Sequence, residues 1–134
     1  MQQISTRQHW IDTEHGQLFA QSWTPSEACG APIVLLHDSL GCVALWRDFP
    51  VRLAQASGRR VIAYDRLGFG RSAAYSGKLP PSFIEDEAHG SFRALCQQLD
   101  LSQFVLLGHS VGGGMAVGCA AVYAEACRGL ITES

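Results

Sequence analysis

Apolar residues along this chain fall into short runs separated by amphipathic stretches. Pro32-Ile33-Val34-Leu35-Leu36-His37, Arg60-Val61-Ile62-Ala63-Tyr64-Asp65 and Gln103-Phe104-Val105-Leu106-Leu107 are nearly continuous aliphatic and β-branched runs, the pattern of strands covered on both faces. Between the first two, Trp46, Phe49, Leu53 and Ala56 recur every three or four residues. That spacing predicts a helix after a loop, with Pro50 in its first turn and Gly58 at its end. Ser82-Phe83-Ile84-Glu85 fits a capping box, and Ile84, Ala88, Phe92, Leu95 and Leu99 then share one face, predicting one unbroken helix of about four turns. Upstream, residues 9–12 and 17–23 flank Glu14-His15-Gly16 with period-two spacing, as in a hairpin at a sheet edge. Downstream, the small residues of 112–125 suit a helix lying close to a sheet, and Gly129-Leu130-Ile131-Thr132 begins a fourth parallel strand. Alternating strands and helices imply an α/β three-layer sandwich with a mostly parallel sheet.

Composition narrows the class. The 134 residues are 47% hydrophobic and 16% charged, as in one folded globular domain. Ten Lys and Arg face twelve Asp and Glu, a formal charge of −2 with no run of like charges, which argues against a nucleic-acid partner. No basic stretch precedes an apolar core at the N-terminus, and no stretch is long enough to span a bilayer, so neither a secretory signal nor a membrane anchor is expected. Cysteines at 29, 42, 96, 119 and 127 are odd in number and lack CxxC spacing. They read as free thiols filling core space in a reducing, cytoplasmic setting, with no metal or cofactor site implied.

The chemistry centres on Gly108-His109-Ser110-Val111-Gly112, a G-x-S-x-G between an apolar run and a helix. In that context a serine sits on a sharp strand-to-helix bend, and the flanking glycines let strand and helix approach closely. The bend lifts the hydroxyl to a helix N-terminus, whose free amides favour negative charge, and makes the Val111 N–H a candidate oxyanion donor.

Two further segments keep the motif company, His37-Asp38-Ser39-Leu40-Gly41 after the first central strand and Asp65-Arg66-Leu67-Gly68-Phe69-Gly70-Arg71-Ser72 after the next. In order and placement the three resemble the α/β-hydrolase superfamily, with its H-G-x-x-G oxyanion loop, D-x-x-G-x-G-x-S turn and nucleophile elbow. The resemblance implies a truncated α/β-hydrolase fold of about strands 1 to 6, with residues 1–134 forming the N-terminal portion of a single domain. It makes Ser110 the nucleophile and Ser39 the second oxyanion donor. Asp38 replaces the family's usual Gly, tolerable because Asp accepts left-handed backbone angles better than most residues.

Other polar residues have plainer expected roles. His109 is expected to point away from the site toward packing, and His37 to hydrogen-bond the loop backbone. Asp65 and Ser72 brace the turn after their strand, Gly68 and Gly70 shape it, and His9, His15 and His89 are expected to be solvated. Gly68-Phe69-Gly70-Arg71-Ser72-Ala73 lacks the third glycine of a phosphate loop and opens no helix.

A serine nucleophile also needs a base and an acid that orients it. The family histidine lies beyond the last strand, so no histidine here matches it, and the capping region is absent. Chains of this architecture reach about 200–250 residues, which makes this one resemble half. Glu133, at the end of the sixth strand, is either the triad acid that some branches place there or an ordinary strand-end glutamate.

The expected activity is hydrolysis of a small-molecule ester or related acyl substrate through an acyl-enzyme, without a cofactor. The alternative is a truncated or fragmentary chain, inactive alone, that self-associates through its exposed sheet edge.

Overall fold

The computed structural model describes residues 2–134. A six-stranded sheet runs in the order β1-β2-β4-β3-β5-β6. Strands β1 (Ile4–Thr13) and β2 (Gly16–Pro25) form the edge hairpin, in register from Ile4↔Pro25 to Thr13↔Gly16, and β2 pairs antiparallel with β4 (Val61–Tyr64). From there β4, β3 (Ile33–Leu36), β5 (Phe104–His109) and β6 (Cys127–Glu133) are parallel.

The short central strands alternate between two apolar layers. Val34, Leu36, Ile62, Tyr64, Phe104 and Leu106 face a core shared with Ala88, Phe92, Leu95, Met115 and Cys119. Ile33, Leu35, Val61 and Ala63 face a second core closed by Val43 and Ala54. Both faces being covered is why the runs at 33–36 and 61–64 show no polar alternation. The second layer is a 3-10 turn at Val43–Trp46 followed by helix α1 (Phe49–Ser57), which carries Pro50 in its first turn and ends on Gly58 at φ 68°.

The expected unbroken helix over 82–99 is two pieces, α2 (Phe83–Asp86) and α3 (Ser91–Gln98). At the break Gly90 leaves helical geometry, at φ −108° and ψ −104°, and a tertiary partner takes a carbonyl there. The Tyr123 hydroxyl donates to the Ala88 carbonyl at 2.7 Å, the acceptor that a continuous helix would offer to the Phe92 N–H. That amide turns instead to Glu87 O, and the amides of His89 and Gly90 both converge on Asp86 O. The capping box does not form either: Ser82 Oγ meets Asp86 Oδ2 at 2.8 Å, with no side-chain bond to the helix amides. Gln98, in the last turn of α3, exchanges two hydrogen bonds with the Asp12 backbone, at 2.9 and 2.7 Å. These fasten the helix to the hairpin.

Helix α4 (Val111–Val122) follows β5 after one residue and lies on the first core. Among the described residues β6 pairs on one side only, and its Leu130 and Ile131 are 42% and 51% exposed. Among the described residues, no helix is long and apolar enough to cross a membrane.

Candidate active site

The single residue between β5 and α4 is Ser110, at φ 57° and ψ −120°. A side-chain-bearing residue in this region costs about 1–3 kcal/mol, so the surroundings must hold it. Its amide donates to Glu133 O at 2.7 Å, and its carbonyl accepts from Gly113 N at 2.8 Å. The flanking glycines are required sterically. A Cβ at Gly108 would stand 2.7 Å from Gly113 Cα, and one at Gly112 would stand 2.5 Å from His37 O. The first turn of α4 therefore rests against the end of β3 and the residue that follows it.

Ser110 is exposed, and the amides of Val111 and Gly112 have no acceptor among the described residues. They are orphan donors at the positive end of a twelve-residue helix. The amide of Ser39 is likewise without an acceptor. Ser39 and Val111 line one cavity of about 730 Å³, walled by the hairpin turn at residues 13–15, the 66–80 segment and α2 with α3.

The loop holding Ser39 is pinned from beneath. Nδ1 of the buried His37 donates to Asp38 O at 2.7 Å, and its Nε2 accepts the Arg66 N–H at 3.0 Å. Burial first, then the Arg66 charge, push its pKa down to about 4, so the ring is a neutral structural group, in line with the role expected from sequence. The Arg66 guanidinium donates to His37 O and, at 2.8 Å, to Asp38 O. Asp65 braces the next turn, its carboxylate accepting from Val43 N at 2.6 Å and Arg71 N at 2.8 Å. Ser72 Oγ donates to Asp65 O and accepts from Phe19 N. Gly70, at φ 51°, leaves space that the Asp65 carboxylate fills.

Several polar residues are placed differently from expectation. Asp38 does not use the left-handed region; the non-glycine residues that do, among the described residues, are Arg47, Asp100 and Ser110. Its carboxylate instead stands 3.7 Å from His109 Nδ1, so the His109 ring reaches the oxyanion loop rather than packing away from it. His9 is half-buried, its Nε2 2.8 Å from Ser22 Oγ, with its pKa lowered by burial first and then by Arg60 and Arg7. His15 and His89 are exposed. Glu133 touches Ser110 through its backbone, while its exposed side chain has no hydrogen-bond or ion-pair partner among the described residues. No histidine bonds Ser110 either: His37 has both ring nitrogens engaged and His109 faces Asp38.

Sequence reasoning gave no role to Arg66, Tyr64 or Glu87. Tyr64, at the end of β4 and fully buried, donates to the Glu87 carboxylate at 2.5 Å. Burial raises the Glu87 pKa, against the lowering effects of the Tyr64 bond and the Arg66 charge. A charge directly after a strand-ending aspartate was the visible signal for Arg66. Glu87 had none, because locally it reads as a surface helix residue.

A family model described as the alpha/beta hydrolase fold matches residues 31–134, the stretch that carries the elbow, the oxyanion loop and the Asp65 turn. The chain belongs to the α/β-hydrolase fold family. This α/β-hydrolase is 32% identical over 114 residues to a (lyso)-N-acylphosphatidylethanolamine lipase of Mus musculus, a match covering 81% of this chain and 32% of that protein. It is 39% identical over 93 residues to a putative non-heme haloperoxidase of Mycobacterium phage D29, covering 69% of this chain and 31% of the other. Among solved structures, a CIB-like hydrolase from Thermoplasma acidophilum superposes with a TM-score of 0.82 at 22% identity, over 96% of this chain and 62% of that one, a likeness of fold alone. The α/β-hydrolase spans about a third of the length of the curated relatives it matches.

Proposed function

We propose that this α/β-hydrolase carries the nucleophile and oxyanion half of a serine hydrolase acting on a carboxylic ester or related acyl compound. One observation carries the reading: Ser110 is held in a strained conformation at a helix N-terminus, and its neighbour Val111 lines the same cavity as Ser39, both residues having amides without an acceptor among the described residues. Strain persists where the fold over-determines it, and functional sites are where it concentrates.

In this reaction Ser110 Oγ attacks the acyl carbon, and the carbonyl oxygen becomes an oxyanion that accepts from Val111 N–H and Ser39 N–H. Collapse breaks the ester C–O bond, and the alcohol leaves carrying the serine proton. Water then hydrolyses the acyl-enzyme and restores the hydroxyl. The proton transfers need a base that the described residues do not bring to Ser110. The triad acid is Glu133 or a residue outside this chain. The route calls for no cofactor, and the substrate is a small molecule.

A second reading is favoured by the exposed Leu130 and Ile131 on the unpaired edge of β6. In it the chain alone is inactive and works by association through that edge. Hydrolysis of a p-nitrophenyl ester by the 134-residue chain and by any longer product of the same gene separates the two readings, with a Ser110→Ala control. Activity in the short chain that vanishes in the control supports autonomous catalysis. Activity confined to the longer product supports association or completion. Hydrolysis that survives Ser110→Ala in both refutes Ser110 as nucleophile.

A further inference from the structure

We infer that Arg66 is a positioning residue that aims and polarises the Ser39 N–H, an inference that rests on the oxyanion role proposed for that amide. The Asp38 carbonyl and the Ser39 N–H are the two ends of one rigid, planar trans peptide unit and point in opposite directions. Whatever fixes Asp38 O therefore fixes the direction of the Ser39 N–H.

Three donors converge on that oxygen: Arg66 Nη2 at 2.8 Å, His37 Nδ1 at 2.7 Å and the Gly41 amide at 3.3 Å. The other guanidinium nitrogen, Nη1, donates to the preceding carbonyl, His37 O. One planar fork thus holds two consecutive carbonyls, which lysine, a point charge on a flexible stem, cannot reproduce. Because the donor is cationic, its bond also draws electron density toward Asp38 O and leaves the Ser39 N–H a stronger donor.

The setting of Arg66 is hard to explain otherwise. It is 5% exposed, and the Glu87 and Asp38 charges favour it only from a distance, since no carboxylate lies within salt-bridge distance of it among the described residues. Buried cations are normally paired. What Arg66 has instead is the two loop carbonyls and the Phe69 ring, 5.0 Å from its guanidinium carbon. That ring also meets His37 edge-on at 5.2 Å. The backbone of Arg66 returns the contact by donating to His37 Nε2, so the ends of β3 and β4 are locked through the residue that steers the loop.

The test reads the Ser39 amide directly, by ¹⁵N relaxation and chemical shift on the labelled 134-residue chain. The native Ser39 N–H is expected to be as rigid as the sheet, with an order parameter of about 0.85, falling below about 0.6 in Arg66→Met. Its proton shift moves upfield in the same variant. Arg66→Lys, which keeps the charge, gives an intermediate result and covers the case in which the Met variant does not fold. Tyr123→Phe, which weakens the fold by losing the bond to Ala88 O and has no contact with Arg66 or the loop, leaves Ser39 unmoved. An unchanged Ser39 amide in either folded Arg66 variant overturns the inference, as does a Tyr123→Phe effect equal to that of Arg66→Met. In parallel, the rate at which ethyl fluorophosphonate labels Ser110, followed by intact mass, drops about tenfold or more in Arg66→Met. If neither this chain nor a longer product of the same gene, which can supply the base, is labelled at Ser110, the nucleophile proposal fails while the amide measurement still decides the role of Arg66.

Discussion

Acidification gives a direct test of how the oxyanion loop is held. His37 has its pKa pushed down from 6.5 to about 4 by burial and by the Arg66 charge, because its Nε2 must stay unprotonated to accept the Arg66 N–H. The unfolded chain takes up this proton near its ordinary value, whereas the folded chain resists it. Between those two values the unfolded state binds more protons, so stability falls as pH falls, by about 3 kcal/mol in total, and levels off below the folded value. Glu87 acts in the opposite direction. Its raised pKa lets the folded state keep a proton that the unfolded state has released, so its contribution is present at low pH and lost as pH rises through the folded value. Wild-type data alone therefore blend two opposed slopes. Subtracting the curve of His37→Gln, which retains Glu87, isolates the His37 share. Urea unfolding followed by circular dichroism, at intervals between about pH 4 and pH 8, supplies both curves. The difference should shrink by about 3 kcal/mol as pH drops from 6.5 toward 4. A difference independent of pH across that window would refute the neutral, acceptor state assigned to Nε2.

Three further outcomes follow from the same contacts. Gly112→Ala places a methyl 2.5 Å from the His37 carbonyl, and since neither backbone is free to yield, thermal unfolding should show a loss of about 1–3 kcal/mol. Ser110→Gly relieves the strain at φ 57°; against the extra chain entropy of glycine it should stabilise by up to about 2 kcal/mol in urea titrations, while Ser110→Ala, which keeps the strain, should leave the midpoint nearly unmoved. Tyr64→Phe strips Glu87 of its hydroxyl donor and should cost about 1–3 kcal/mol at neutral pH. Because the bond that lowers the Glu87 pKa is gone, that cost shrinks as pH falls and the carboxyl protonates.

Local sequence determined a good deal here. The runs at 33–36 and 61–64 read as strands covered on both faces, since water tolerates no such continuous apolar surface, while the run at 104–107 is a strand whose Val105 and Leu107 are only partly buried. Gly108 and Gly112, two residues either side of Ser110, announced a bend in which strand and helix meet, because only a missing Cβ lets the backbones come that close. The bracing by Asp65 and Ser72 was legible too, as short polar side chains at a strand end bond the nearest turn amides.

What stayed hidden was decided by partners far away in sequence. The face shared by Ile84, Ala88, Phe92 and Leu95 reads as one helix, yet Tyr123, 35 residues on, takes the carbonyl that the helix needed. Glu87 looks like a solvated acid until β4 brings the Tyr64 hydroxyl beneath it. Arg66 looks like a surface cation until the parallel pairing of β3 and β4 sets it under the His37 and Asp38 carbonyls. Periodicity reports which face of an element avoids water. Which donor finds which acceptor is settled only when the sheet assembles, because a hydrogen bond depends on distance and direction between atoms that the chain order does not place side by side.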